Sequence, residues 1–150
     1  MKVELADHDG GAQARISGPI DADAEFGALL DGRWRELRLD LSGITMITSP
    51  GVRRWMRFVA EVPAGVAVRL ERCPPVFINQ VSLISNLLGS AQIESLFIPF
   101  LCPACEAIRD VLAPARELDA SALPEVTCEA CHARMELDVL EEQYFSFLKE

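Results

Sequence analysis

Two pairs of cysteines, each with the spacing C-x2-C, constrain this chain more than any other feature. The pairs are Cys102 with Cys105 and Cys128 with Cys131, and 22 residues separate them. A C-x2-C turn places two thiolates on one side of a tight bend, and two such turns complete a tetrahedron around Zn²⁺. The sequence therefore predicts a structural zinc site with these four cysteines as ligands, in a small C-terminal zinc ribbon.

The same four thiolates could bind iron, which uses this ligand set in rubredoxin-like sites. Redox-active or disulfide-bonded cysteines are a third alternative, disfavoured in a reducing compartment. Catalytic zinc is not expected, because four thiolates leave no open coordination position. We expect His132, beside Cys131, to lie outside the ligand set, and Cys73 to be a small buried apolar residue.

The net charge of −9 is concentrated in the C-terminal third of the chain. Residues 1–100 carry 12 acidic and 10 basic side chains, whereas residues 101–150 carry 11 and 4. An acidic surface repels phosphate backbones, so we expect no nucleic-acid partner. The sequence has no apolar run of membrane-spanning length and no signal peptide at its start, so we expect a cytoplasmic protein without membrane insertion.

No catalytic motif is recognisable. The chain has two histidines, His8 and His132. It contains neither the G-x-S-x-G elbow of hydrolases nor the glycine-rich loops that bind nucleotides. We therefore expect that the protein is not an enzyme.

Apolar residues in the first 98 positions alternate between the period of strands and the period of helices, which predicts an α/β domain. The predicted strands are 2–5, 13–17, 37–41, 66–70 and 95–101, and the predicted helices are 21–30, 49–62 and 77–88. The cysteines and the charge shift together predict two modules, residues 1–98 and 99–150. The final strand could belong to the same sheet as the others.

The helix at residue 49 is the clearest element of the sequence. Ser49 is the predicted N-cap, and Pro50 suits the first helical position, where no N–H donor is needed. Val52, Trp55, Met56 and Val59 then form one apolar stripe at helical spacing, with three arginines off the stripe.

Residues 40–52 read D-L-S-G-I-T-M-I-T-S-P-G-V and resemble the signature of STAS domains, the family of anti-sigma-factor antagonists. The family pattern is roughly D-L-S-G-V-x-F-I-D-S-S/A-G-L, and residues 76–97 resemble the third helix and last strand. The resemblance implies a mixed β-sheet with helices packed on it. It also implies a non-catalytic bacterial regulator whose partner is a kinase-like anti-sigma factor, another signalling protein or an ATPase.

Three positions depart from the family pattern or qualify it. The acidic residue of the family falls on Thr48, the family serine is kept as Ser49, and Pro50 replaces a possible phosphate acceptor. We therefore expect that the usual phosphoswitch is missing. Ser49 either caps the helix or binds or receives an anion there.

Family members meet their partners through this helix and the loop before it, which implies a partner surface around residues 49–57. The candidate residues are Thr48, Ser49, Pro50, Arg53, Arg54 and Arg57. The arginines form either a basic docking face or an ordinary solvated one.

In the alternative hypothesis, the zinc ribbon is the recognition module, for a protein or less plausibly for nucleic acid. Residues 1–98 are then a scaffold or a homo-oligomerisation unit. Four apolar residues near the C-terminus either pack on the rest of the chain or remain exposed for a partner. They are Tyr144, Phe145, Phe147 and Leu148.

Overall fold

The structure, a computed structural model, describes residues 1–119 and 122–149. Its strands are β1 (Lys2–His8), β2 (Gly11–Ile20), β3 (Glu36–Ile47), β4 (Ala67–Glu71), β5 (Gln92–Ile93), β6 (Ser95–Leu101), β7 (Ile108–Pro114) and β8 (Glu136–Leu137). Its α-helices are α1 (Ser49–Glu61), α2 (Pro75–Leu83) and α3 (Glu141–Tyr144). Among these described residues, no helix has both the length and the apolar character needed to cross a bilayer.

Five strands form a mixed sheet in the order β1-β2-β3-β4-β5. The pair β1 and β2 is an antiparallel hairpin, and the remaining neighbours are parallel. Parallel neighbours need a crossover, and α1 and α2 lie between β3, β4 and β5 along the chain. The predicted α/β class is confirmed.

One face of this sheet is apolar because small and branched residues recur at every second position. Leu37 pairs with Ala12 on one side and Val68 on the other, and Leu39 pairs in the same way with Ala14 and Leu70. All of these side chains are at most 3% exposed. Paired residues point to the same face of a sheet, so this face forms a continuous core that α1 and α2 cover.

The helices contribute aromatic rings to this core. The Phe26 and Phe58 rings stack at 4.9 Å, and Trp55 meets Phe77 edge-on at 5.2 Å. The Trp55 indole N–H donates to the backbone oxygen of Leu87 at 2.9 Å, which satisfies the one polar atom of this buried ring.

The opposite face of the sheet carries charged residues. Arg38 donates to Glu94 at 2.7 Å and also pairs with Glu36, and Arg72 lies 3.8 Å from Asp40. Burial, partly offset by Arg38, raises the pKa of Glu71 at the centre of the group. The paired side chains are between 18% and 52% exposed, and ion pairs exposed to this degree add little stability.

The strand β6 belongs to a second sheet of order β7-β6-β8, and is not part of the first sheet. It starts beside Cys73, whose N–H donates to Ser95 and whose carbonyl accepts from Phe97. The expected boundary at residue 98 falls inside β6. Separate folding of residues 1–98 and 99–150 therefore stays a prediction.

The C-terminal segment packs against the rest of the chain. Tyr144 and Phe145 are each 1% exposed, and α3 contacts α2. The Tyr144 hydroxyl donates to the Phe97 carbonyl on β6 at 2.6 Å. Of the two alternatives for these aromatic residues, packing is confirmed.

Two predicted helices need correction. Residues 21–30 contain only a short 3-10 turn, Gly27–Leu29, because the Asp21 carboxylate accepts the Asp23 amide and turns the chain. The helix α2 ends at Leu83 rather than at residue 88, where the sequence pattern predicts its end. Extended backbone at Ile84 ends it, and the following residues bring the Leu87 carbonyl to Trp55.

Gly51 sets how closely α1 approaches the sheet, which gives a first prediction. A Cβ added at Gly51 would lie 1.9 Å from the carbonyl oxygen of Ile20, the last residue of β2. We expect Gly51→Ala to lower the free energy of unfolding by about 2 kcal/mol or more, measured by urea denaturation. Gly65→Ala is the matched control, because nothing lies within 4 Å of its added Cβ. Equal effects of the two changes would contradict this packing argument.

Candidate metal centre and docking surface

Two hairpin turns of the same kind carry the four cysteines. The first turn joins β6 to β7 and holds Cys102 and Cys105. The second turn, with Cys128 and Cys131, lies within a bridge between Thr127 and Arg134. The structure thus presents each C-x2-C pair at the tip of a hairpin, as in a zinc ribbon.

The backbone of the two turns repeats residue for residue. The Cys102 N–H donates to Ala107 at 2.8 Å, and the Cys128 N–H donates to Ala133 at 2.8 Å. Glu106 has a φ of 64° and His132 a φ of 62° at equivalent positions. His132 therefore serves as the left-handed residue of its turn, and its side chain is exposed.

The four sulfur atoms converge on one point. All of them lie within 4.8 Å of one another, with 3.4 Å between Cys102 and Cys131 and 3.6 Å between Cys105 and Cys128. Tetrahedral zinc with four Zn–S bonds of about 2.3 Å requires sulfur separations of about 3.8 Å. The cluster has the donor set of such a site, and its sulfur separations are compatible with zinc.

Backbone amides stabilise thiolates at the first cysteine of each pair. The amides of Cys105 and Ala104 donate to the Cys102 sulfur and lower its pKa to about 7. The equivalent amides, led by that of Cys131, lower the pKa of Cys128. These donors favour the ionised form that a metal binds.

The second cysteine of each pair behaves in the opposite way. The Ala107 amide lowers the pKa of Cys105, but the neighbouring thiols, Cys128 first, outweigh it and raise the pKa to about 12. The Ala133 amide likewise lowers the pKa of Cys131, but the Cys102 thiol and burial outweigh it, and the pKa is raised. Four negative charges at this separation repel one another, so full ionisation requires a bound cation.

Cys73 lies apart from the cluster and is fully buried. Its burial raises the pKa of its thiol. The sequence prediction for Cys73, a small buried residue, is confirmed.

The N-cap of α1 is Thr48. The predicted cap, Ser49, is instead the first residue of the helix. The Thr48 hydroxyl accepts the Gly51 N–H at 3.2 Å, and the helix begins at Ser49 with Pro50 second. The prediction was wrong by one residue because both residue types are good caps, and the backbone decides between them. Ser49 is therefore not needed as a cap, and it is exposed.

A groove of about 270 Å³ opens between the start of α1 and the C-terminal end of α2. Its walls combine aliphatic side chains with polar ones, and three of these residues lie outside the expected partner surface. The lining residues are Ile47, Thr48, Ser49, Val52, Arg53, Gln80 and Ile84. Sequence reasoning missed Ile47, Gln80 and Ile84, because only the fold brings the end of α2 to this loop. We call these seven residues the docking groove.

Arg53, Arg54 and Arg57 are all exposed, but the structure divides them between two grooves. Arg53 lines the docking groove, whereas Arg54 and Arg57 line a groove of about 280 Å³ beside Phe26 and Phe58. Within the described part of the chain, none of the three forms an ion pair with a carboxylate within 4.0 Å. The arginines of the charged sheet face do form such ion pairs.

The cap assignment gives a second prediction. Removing the Thr48 hydroxyl leaves the Gly51 N–H without its acceptor, so we expect Thr48→Ala to lower the free energy of unfolding by about 1 kcal/mol. Ser49→Ala, the matched control, should change it by less than about 0.5 kcal/mol, because Ser49 is exposed. Urea denaturation of both variants measures the difference, and the reverse order would restore Ser49 as the cap.

Comparison with known proteins supports the fold. The chain is similar to a solved structure described as an anti-sigma factor antagonist from Mycobacterium paratuberculosis, with a TM-score of 0.51 and 20% sequence identity. The match covers 61% of this chain and 83% of that one. No family model matches the chain, and no curated protein matches it. The likeness shows that this α/β body has the STAS-like fold, with a four-cysteine cluster beside it.

Proposed function

We propose that this chain is a non-catalytic regulatory adaptor that binds a protein partner through the docking groove and its adjacent arginines. The observation that carries the proposal is the set of three exposed arginines on α1, without ion-pair partners among the described residues. Arg53 lines the docking groove, and Arg54 and Arg57 line the second groove on α1. The fold supports it, because a solved structure with a similar fold is described as an anti-sigma factor antagonist. A kinase-like anti-sigma factor, another signalling protein or an ATPase in the bacterial cytoplasm fits this role.

The charge of the surface indicates what the partner offers. The chain has a net charge of −9, so Arg53, Arg54 and Arg57 form a local basic region on an acidic protein. Such a region attracts acidic groups and disfavours basic ones. The aliphatic walls formed by Ile47, Val52 and Ile84 suit an apolar side chain. We infer that the partner presents an apolar side chain flanked by acidic residues.

Control by phosphorylation in the usual way does not fit this surface. Pro50 has no hydroxyl, and it occupies a position where family members carry a possible acceptor. Thr48 uses its hydroxyl to accept the Gly51 amide. Ser49 keeps an exposed hydroxyl beside the groove, where it is available to contact a partner.

In the same proposal, the four cysteines hold a structural zinc ion. The support is the set of four sulfurs within 4.8 Å and the amide donors that favour thiolates at Cys102 and Cys128. The C-terminal module is too small to hold four repelling thiolates together by its own packing, so the ion would supply folding free energy. Four thiolate ligands leave no site for substrate on the metal.

The docking surface gives a third prediction. Arg53→Glu, Arg54→Glu and Arg57→Glu together should lower partner capture from native cells by more than about tenfold, because like charges then face the acidic partner. Quantitative mass spectrometry of captured proteins measures the loss, and circular dichroism checks the fold.

The matched control reverses three other exposed arginines, Arg33, Arg35 and Arg116, and so changes the net charge equally. Capture should persist in the control. Equal losses of capture in both variants would show that overall charge causes the effect. Unchanged capture in the first variant would contradict the proposed docking surface.

The metal gives a fourth prediction. Elemental analysis of untagged protein should find about one zinc ion per chain, and Cys105→Ser should reduce this to near zero. Cys73→Ala is the control, because Cys73 lies outside the cluster and its loss should leave the zinc content unchanged. Iron in place of zinc would correct the identity of the ion, and absence of any metal would remove the site.

A second candidate function, recognition by the C-terminal module, is favoured by one observation. Ile108 is 70% exposed and Leu112 is 49% exposed. The two residues lie four positions apart in β7 and so point to the same face of the strand. Exposed aliphatic residues on one face suit a protein partner. The capture assay separates the candidates, because Ile108→Asp with Leu112→Asp would abolish capture only if this face binds.

A further inference from the structure

One residue, Ile84, belongs to two different grooves. It lines the docking groove together with Gln80. It also lines a groove of about 540 Å³, formed by residues 81–89 and by Ser146 from the C-terminal segment. The end of α2 is thus a wall shared between the docking groove and the C-terminal segment.

The C-terminal segment is held against α2 and β6 by buried contacts. Tyr144 and Phe145 are each 1% exposed and meet edge-on at 5.2 Å. The Tyr144 hydroxyl reaches the Phe97 carbonyl at 2.6 Å. Both α3 and the 3-10 turn Ser146–Lys149 contact α2. Moving this segment would therefore remove one side of the packing around α2.

The position of the segment depends in turn on the hairpins that carry the cysteines. The strand β6 runs directly into Cys102, and β8 follows the second hairpin and pairs with β6. The Met135 amide donates to Val126, and the Asp138 amide donates to Pro99, each within 2.9 Å. The segment begins three residues after Asp138. The four sulfurs lie together between the two hairpins from which the segment extends.

The end of α2 can adjust its conformation because it is irregular. Ile84 has an extended backbone, with a φ of −121° and a ψ of 115°. Asn86 has a φ of 65°, and residues 85 and 86 are exposed. A helix end of this kind opens at a lower free energy than the middle of a sheet.

We infer that metal binding at the four cysteines controls the docking groove, through the C-terminal segment and α2. This inference rests on the proposed function for the meaning of the groove. The bistable element is the C-terminal module, which is folded with metal and loosened without it. Loss of the metal releases the segment from α2 and so loosens the wall formed by Gln80 and Ile84. Partner binding therefore requires a loaded metal centre.

Hydrogen exchange with mass spectrometry tests this on the full chain. One sample is loaded with zinc chloride, and the other is stripped with a chelator. After stripping, we expect amides of residues 76–84 and 48–53 to exchange about fivefold faster or more, while β2 exchanges at its original rate. Restoring zinc should restore slow exchange. A change confined to residues 101–149 would overturn the inference.

A variant of the loaded protein tests the same link without removing the metal. Tyr144→Phe deletes the hydrogen bond to Phe97 but keeps the ring, and it should speed exchange of residues 76–84 by about fivefold at full zinc content. Leu140→Ala, at the residue just before the segment and 74% exposed, is the matched control and should change nothing. This variant also decides the matter if stripping unfolds the whole chain, because unchanged exchange at residues 76–84 would then overturn the link.

The test and the proposed function fail in different ways. If the docking surface is wrong, reversing the charge of Arg53, Arg54 and Arg57 leaves partner capture unchanged. The hydrogen-exchange results do not depend on that outcome. A missing metal appears in the elemental analysis, and the Tyr144→Phe arm still measures the coupling. Exchange limited to the C-terminal module, with capture still dependent on Arg53, Arg54 and Arg57, would leave an adaptor without metal control.

Discussion

The alternation of side chains along β2, β3 and β4 is the constraint on which the rest of the structure depends. Because Leu37, Leu39 and their partners all point one way, the helices must cover that face and the charged residues must occupy the other. The apolar face then brings the start of α1 against the end of β2, where Gly51 permits a close approach. The groove beside Thr48 exists because two helices are packed side by side on a sheet that is apolar on one face only.

The C-terminal module is organised by a different interaction, the convergence of four sulfurs. Its small second sheet is joined to the body at Cys73, the Tyr144 hydroxyl bonds to β6 of that sheet, and its two cysteine turns repeat one backbone conformation. Backbone amides favour charge at two of the sulfurs, and mutual repulsion opposes it at the other two. The proposed zinc ion would resolve this conflict, and its binding would then be coupled to the folding of the module.

Features with strong local signals could be predicted from the sequence. The spacing of the cysteines predicts that they lie together, and the alternation of residues 37–41 predicts a strand with one buried face. Predictions failed where two local choices had nearly equal energies. Thr48 and Ser49 are both good caps, and the 21–30 segment has apolar residues that a turn buries as well as a helix would. The docking groove could not be predicted, because Gln80 and Ile84 reach Ser49 only through the packing of α2.

The joint between β6 and Cys73 has a consequence for the order of assembly. Two backbone hydrogen bonds fix the start of β6 to the body, so the strand that leads into the first cysteine pair is in place once the first sheet has formed. The second pair follows 22 residues later and has little of its own to hold it. We therefore expect the chain to fold in two stages, in which the first cysteine pair is in position before the second. Binding of the proposed zinc ion would then join the second cysteine pair to the first.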